Sequence, residues 1–192
     1  MEHFYTIQGE GVHQGKAAYF IRLAGCDVGC VWCDVKESWT QGYPIMSAEA
    51  LLLEVQKHEG RMVVITGGEP LMHDLNPLTQ TLQAAGINTH IETSGAHPVS
   101  GHWDWFCLSP KKFVLPLEES YAEADELKVI VYNKSDLKWA TDEAAKVGDD
   151  CILLLQPEWS REKEMLPLMV DFVKANPQWR ISLQTHKYMN IP

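Results

Sequence analysis

Met62-Val63-Val64-Ile65-Thr66-Gly67-Gly68 opens on four apolar residues, three of them β-branched, and closes on two glycines. A run that is apolar on both faces suits a strand covered on both sides, as helices cover a parallel sheet. A helical pattern follows at Leu75–Ala85, with Gly86 as a natural C-terminal stop, and then a second β-type run, Asn88–Glu92. Strand, helix and strand in that order make a βαβ unit, which implies parallel pairing and a right-handed crossover. The same alternation extends outward in both directions. Further β-type runs are Ala18–Leu23, Trp105–Leu108, Leu127–Tyr132, Cys151–Leu155 and Arg180–Leu183. Ser47 suits the N-cap of a helix over Ala48–Lys57, with Leu51, Leu52 and Val55 on one apolar stripe. Ser135–Val147 and Arg161–Ala175 also fit helices, with a break or kink expected at Pro167. Six or seven strands in 192 residues are too few for the usual eightfold barrel of about 250 residues, leaving a doubly wound sheet or a partial barrel. In either, ligands gather at the carboxyl ends of the strands. With no internal repeat, low-complexity tract or long linker, residues 1–192 read as a single domain.

The first of these strands runs into Gly25-Cys26-Asp27-Val28-Gly29-Cys30-Val31-Trp32-Cys33-Asp34, a C-x3-C-x2-C spacing in a loop with two glycines. Soft thiolates suit an iron–sulfur cluster or zinc. A purely structural centre takes four protein ligands, and here three lie close together. Cys107 and Cys151 fall in apolar runs and read as buried core thiols. The expected centre is therefore an iron–sulfur cluster on Cys26, Cys30 and Cys33, with one iron open for an amino acid's amine and carboxylate. The competing reading is a zinc knuckle completed by His13, His58 or His73.

Composition narrows the partners. Sixteen bases against twenty-six acids give a net charge of −10, which disfavours a phosphate-tracking surface and hence direct nucleic-acid binding. No apolar run approaches the length of a membrane span, and Met1-Glu2-His3-Phe4-Tyr5-Thr6 lacks the basic and apolar regions of a signal peptide. A cytoplasmic protein is expected. No Ser–His–Asp arrangement or phosphate loop points to a hydrolase or kinase.

The cysteine spacing resembles the signature of the radical S-adenosylmethionine superfamily, and Thr66-Gly67-Gly68-Glu69-Pro70, one βα unit later, resembles its second motif. The chain further resembles the 7-carboxy-7-deazaguanine synthase family almost throughout. The matching segments are Tyr5-Thr6-Ile7-Gln8-Gly9-Glu10-Gly11, Ala18–Leu23, Ile91-Glu92-Thr93-Ser94-Gly95, Leu108-Ser109-Pro110-Lys111, Glu126-Leu127-Lys128, Leu155-Gln156-Pro157 and Gln184-Thr185-His186-Lys187 to Pro192. The resemblance implies an α/β fold, a single-domain partial (reduced) β/α barrel with about six parallel strands, and a homodimer. It implies a radical-mediated ring contraction of 6-carboxy-5,6,7,8-tetrahydropterin with loss of ammonia, in queuosine and deazapurine biosynthesis. An external flavodoxin- or ferredoxin-like electron donor comes with that activity. Two alternatives stand beside it: a glycyl-radical-enzyme activating protein, and a non-enzymatic iron–sulfur module.

The same resemblance implies residue roles. Beyond the cluster and S-adenosylmethionine no catalytic side chain is expected. Cofactor contacts fall to Trp32, Cys33, Asp34, Gly67, Gly68, Glu69, Glu92, Ser94, Ser109, Pro110, Lys111, Gln156, Pro157, Glu158 and Trp159. Substrate contacts fall to Ile7, Gln8, Gly9, Glu10, Arg22, Thr66, His186 and Pro192, whose carboxylate would fold back onto the ligand. Arg22 sits in an apolar strand on the side of Phe20, so its guanidinium either captures a substrate carboxylate or pairs with a structural acid. Lys128 reads equally as an inward cation or a paired structural lysine. The family's magnesium is held partly by a hydroxyl after Cys-Asp. Here that residue is Val35, which cannot coordinate a hard cation, so magnesium requires another oxygen ligand, or the substrate is held without a metal, and no magnesium ligand is assigned.

Overall fold

The seven β-type runs are seven parallel strands in the computed structural model, which describes residues 2–40 and 43–192; Met1, Gln41 and Gly42 lie outside it. An eighth strand, β1 (Glu2–Ile7), pairs antiparallel to β2 (Ala17–Leu23) with Phe4 opposite Phe20. The parallel strands continue as β3 (Met62–Gly67), β4 (Asn88–Thr93), β5 (Trp105–Leu108), β6 (Glu126–Val131), β7 (Ile152–Pro157) and β8 (Trp179–Ile181). They lie side by side in sequence order in one sheet that starts at β1 and ends at β8. The result is a partial β/α barrel that does not close.

Helices α1 (Ala48–Val55), α2 (Asn76–Ala84), α3 (Glu118–Ala122), α4 (Ser135–Ala144), α5 (Glu162–Ala175) and α6 (Thr185–Met189) complete the fold. Ser47 caps α1 by accepting from the Ala50 amide at 3.2 Å, as its sequence position requires. After α2, Gly86 adopts φ +74, the left-handed turn that glycine enters at little cost. Pro167 lies inside α5, which continues through it without a break.

Strand alternation separates two environments. On the helix-covered face, Ile65, Ile91, Phe106, Leu127, Val129 and Leu155 pack with Leu51, Val55, Leu82, Ala140 and Met169 in the main core. On the concave face, the intervening positions of the same strands carry Thr66, Glu92, Lys128 and Gln156. Only a small apolar patch of Ala18, Met62, Val64 and Phe20 was found on that inner side among the described residues. The parallel strands thus bury one face in oil and aim the other at a ligand space.

The gap between β1 and β8 is bridged by loop contacts rather than strand pairing. The Gly11 amide donates to Ser182 Oγ at 2.9 Å, and Thr185 donates through both its amide (2.9 Å) and Oγ1 (2.8 Å) to the Gly9 carbonyl. A Cβ on Gly9 would meet the His186 ring at 2.4 Å, so glycine is what lets the two segments close together. Among the described residues no helix is long and apolar enough to cross a membrane.

Candidate active site

The cysteine loop leaves β2 through Gly25 (φ +101), turns back at Gly29 (φ +70), and is pinned where the Gly25 amide donates to the Ser38 carbonyl at 2.6 Å. Cys26, Cys30 and Cys33 all line one cleft, flanked by Trp32 and Trp39. Burial pushes the Cys26 and Cys30 thiols above their usual range, with Lys111 pulling Cys30 back. Cys107 lies elsewhere, its thiol donating to Glu126 Oε1 at 3.4 Å, and Cys151 does not line the cleft. Three thiols without a fourth thiolate on the cleft wall fit a cluster with one open iron. Among the described residues no three His, Cys, Asp or Glu side chains gather for a single metal ion.

The end of β3 is locked against this loop. The Gly68 amide donates to the Leu23 carbonyl at 3.1 Å and the Glu69 amide to the Gly25 carbonyl at 2.8 Å. A Cβ at Gly68 would meet that Gly25 carbonyl oxygen at 2.1 Å and the Cys26 Cβ at 2.8 Å. The paired glycines therefore leave bare backbone beside the cysteines, the kind of surface that an amino acid's amine can approach. Glu69 is 1% exposed and accepts from Thr93 Oγ1 (2.5 Å), the Ser94 amide (2.8 Å), Ser94 Oγ (2.5 Å) and the Leu71 amide (3.0 Å). Its carboxylate rivets β3 to β4, and both oxygens are committed within the protein.

Farther out on the concave face, Lys128 Nζ stands 2.7 Å from Glu10 Oε2 and 2.7 Å from Glu92 Oε2. Gln8 Nε2 donates to Glu92 Oε1 at 3.3 Å, and Gln184 Nε2 donates to Glu10 Oε1 (2.9 Å) and Asp34 Oδ2 (3.0 Å). Lys187 Nζ also reaches Asp34 Oδ2, at 3.0 Å. Burial works to raise the Glu10 carboxyl, but the Lys128 ammonium and amide donors hold it at about 2. Glu92 moves the other way, raised by burial and by Glu10 and Glu126 against the pull of Lys128. One ammonium serves two carboxylates at equal distance, and amide donors add to its effect on Glu10. Burial opposes the charge on Lys128, yet the Cys107 sulfur and the three glutamates around it keep its pKa well above the usual value.

Two clefts meet at this network. The first encloses about 880 Å³ of space open to solvent and the second about 650 Å³. Of the expected cofactor contacts, Trp32, Cys33, Asp34, Gly67, Gly68, Glu69, Glu92, Ser94, Ser109, Lys111 and Gln156 line the first cleft. Pro110, Pro157, Glu158 and Trp159 do not line it. Glu158 instead caps a 3₁₀ turn by accepting from the Ser160 amide at 3.1 Å, and Trp159 packs edge-on to Tyr188 at 5.3 Å. All eight expected substrate contacts line the second cleft. Arg22 lines that cleft and pairs with an acid of the protein, its Nε standing 2.7 Å from Glu2 Oε1 on the neighbouring strand. Thr6 Oγ1 donates to the Pro192 carbonyl oxygen at 3.5 Å. Residues that motif reading did not assign include Phe4 and Phe20, stacked at 5.6 Å, and Thr93, Trp39 and Lys187. Phe20 shares the concave face with Arg22, so strand alternation carried that signal.

A cluster-binding loop at the carboxyl end of the first parallel strand of an open β/α barrel defines the radical S-adenosylmethionine class. Accordingly, the Radical SAM superfamily model matches residues 20–108, from β2 to β5. Over its full length the chain is 58% identical to a 7-carboxy-7-deazaguanine synthase of Flavobacterium psychrophilum, covering 91% of it. It is 48% identical to the synthase of Synechocystis, with 99% of this chain and 91% of that one aligned. The crystal structure of QueE from Escherichia coli superposes with a TM-score of 0.84 at 35% identity, covering 95% of this chain and 91% of that one. The chain belongs to the 7-carboxy-7-deazaguanine synthase family, and the radical S-adenosylmethionine superfamily implies a [4Fe-4S] cluster and S-adenosylmethionine.

Proposed function

We propose that this chain converts 6-carboxy-5,6,7,8-tetrahydropterin to 7-carboxy-7-deazaguanine with loss of ammonia. The observation that carries the reading is the pair of clefts with a common wall, one lined by the cysteine triad and the other by Arg22, Gln8, Glu10 and His186. The conversion removes one ammonia and no net electrons, so an external flavodoxin- or ferredoxin-like donor would prime the centre without being consumed stoichiometrically.

Cys26, Cys30 and Cys33 would hold the cluster, with the backbone of Gly67 and Gly68 offered to the amino acid end of S-adenosylmethionine. When bound and reduced, this pair supplies a carbon radical able to remove one hydrogen atom from a C–H bond. The protein's part is to bind, orient and exclude water. Arg22 would grip the substrate carboxylate through its guanidinium, whose fork matches that shape. Glu10 and Gln8 offer acceptors and a donor to the amide and amino edge of the pterin ring. His186, with burial lowering its pKa, would be neutral there and able to accept or donate one hydrogen bond. Magnesium does not fit: Val35 offers no oxygen, and Asp34 beside it is occupied by Gln184 and Lys187. A homodimer is part of the proposal by family.

The test is an anaerobic assay of the cluster-loaded protein with dithionite, S-adenosylmethionine and 6-carboxytetrahydropterin. Formation of 7-carboxy-7-deazaguanine, abolished by Cys30→Ala, is the expected result. Arg22→Ala should raise the substrate KM about tenfold or more while leaving slow, uncoupled deoxyadenosine formation. Deoxyadenosine without any deazapurine from the native chain would sink the substrate assignment.

A further inference from the structure

Glu10, Asp34, Val35, Thr66, Glu92 and Gln184 each line both clefts, so they form the wall between them. A continuous run of polar contacts crosses that wall: Glu92 to Lys128, Lys128 to Glu10, Glu10 to Gln184, Gln184 to Asp34. Asp34 is the residue next to Cys33. Lys128 is 3% exposed, whereas the side chains of Glu10 and Glu92 are each 19% exposed, toward the clefts they line. The cation is nearly buried in the wall of the first cleft, which it lines, and its ammonium is held between two more exposed carboxylates. An ordinary buried ion pair is weak support for stability, because desolvation offsets the attraction. A single ammonium shared between two cleft-facing acids has another property. Whatever draws one acid away strengthens its hold on the other.

We propose that Lys128 is a positioning residue that couples the two clefts through the two wall carboxylates it shares, tying Glu92, which the family resemblance gives to the cofactor, to Glu10, which it gives to the substrate. Hydrogen bonds donated by a substrate to Glu10 compete with those from Lys128. The ammonium then shifts its bonding toward Glu92 and orders that carboxylate for the cofactor. By reciprocity, a cofactor settled on Glu92 prepares Glu10. Gln184 passes the same constraint to Asp34 and the cysteine loop. The inference rests on the substrate reading above and adds to it a reason why cofactor cleavage should wait for substrate.

Lys128→Met keeps most of the side chain's length and removes its charge, and Lys128→Arg keeps the charge. Gln184→Leu cuts the wall one link farther on and leaves both Lys128 pairs in place. With cluster-loaded enzyme, S-adenosylmethionine affinity is titrated by the change in the cluster's EPR signal, with and without 6-carboxytetrahydropterin. Deoxyadenosine formed per deazapurine is counted in the same preparations. In the native protein the pterin should tighten S-adenosylmethionine binding about 5-fold or more, the usual lower range for coupled sites. Lys128→Met should reduce that effect below about 2-fold and raise deoxyadenosine per product, with Lys128→Arg restoring most of the coupling and Gln184→Leu falling between.

Native coupling retained in Lys128→Met overturns the proposal, as does absence of coupling in the native protein. An equal loss of affinity whether or not the other ligand is present also overturns it, because a structural lysine would act that way. Where Lys128→Met does not fold, Lys128→Gln takes its place, and native coupling retained in that variant is the overturning result. Deazapurine formed with undisturbed coupling in Lys128→Met removes this inference alone. A native chain that neither binds nor converts the pterin removes the substrate reading and this inference with it.

Discussion

At the scale of single residues, the strongest constraint is steric. A Cβ at Gly68 would meet the Gly25 carbonyl oxygen at 2.1 Å, and backbone cannot swing aside as a flexible side chain would. Gly68→Ala is expected to destabilise the chain by about 1–3 kcal/mol and to displace the Cys26 segment. Iron bound per chain after reconstitution should fall well below the native value, a readout independent of turnover. His90 supplies a second residue-scale prediction. Burial, then the nearby His13, lowers its pKa from 6.5 to about 4, while Asp104 pulls the other way. The unfolded chain takes up a proton below about 6.5 that the folded chain refuses until about 4, so stability is lost as pH falls through that window. The loss attributable to His90 between pH 7 and pH 5 is about 2 kcal/mol. Urea unfolding of His90→Gln at both pH values should show a correspondingly shallower dependence. The glycine pair was legible as a motif, because its spacing from the cysteines is local in sequence. The rivet at Glu69 was not, because its partners Thr93 and Ser94 come from the next strand and are chosen by the fold.

At the scale of elements, α5 carries an unusual feature. Pro167 is exposed on a helix that buries Met165 and Met169 on its other side. A proline there lacks an amide hydrogen and crowds the preceding turn, so the expected kink or break is resisted by packing on β7 and β8. Pro167→Ala removes no buried contact and should stabilise the chain by about 1–3 kcal/mol, read as a raised midpoint in thermal unfolding. The parallel strands were legible because their apolar runs are dictated by burial on the sheet. β1 was passed over because its half-exposed mixture of Glu2, His3 and Tyr5 resembles an ordinary polar terminus, and its pairing with β2 is what makes it a strand. α6 was missed for the same reason: read alone, Tyr188 to Pro192 looks like a frayed tail, and contact with Gly9 and Thr6 places it on the second cleft.

At the scale of the whole molecule, walls drawn from many strands imply that ligand binding and global stability are linked. S-adenosylhomocysteine at a hundredfold excess over its Kd should stabilise the cluster-loaded protein by about 2.7 kcal/mol. For a chain of this size that corresponds to a rise of roughly 5–10 °C in Tm, and no shift would mean that the first cleft does not take this ligand. The division of labour between the two sheet faces was only partly legible. Lys128 sits at an alternate position between Leu127 and Val129, which fixes its face, but nothing local reveals that Glu10 and Glu92 converge on it. The closure of the barrel gap has a consequence in time. Gly9 meets Thr185 across a separation of 176 residues, so during synthesis its partner emerges last among nearly all parts of the fold. At roughly 5–20 residues per second the cysteine loop spends about 8–30 seconds outside the ribosome before the second cleft can be walled in. For a chain whose thiols await iron, that interval is when oxygen has its freest access.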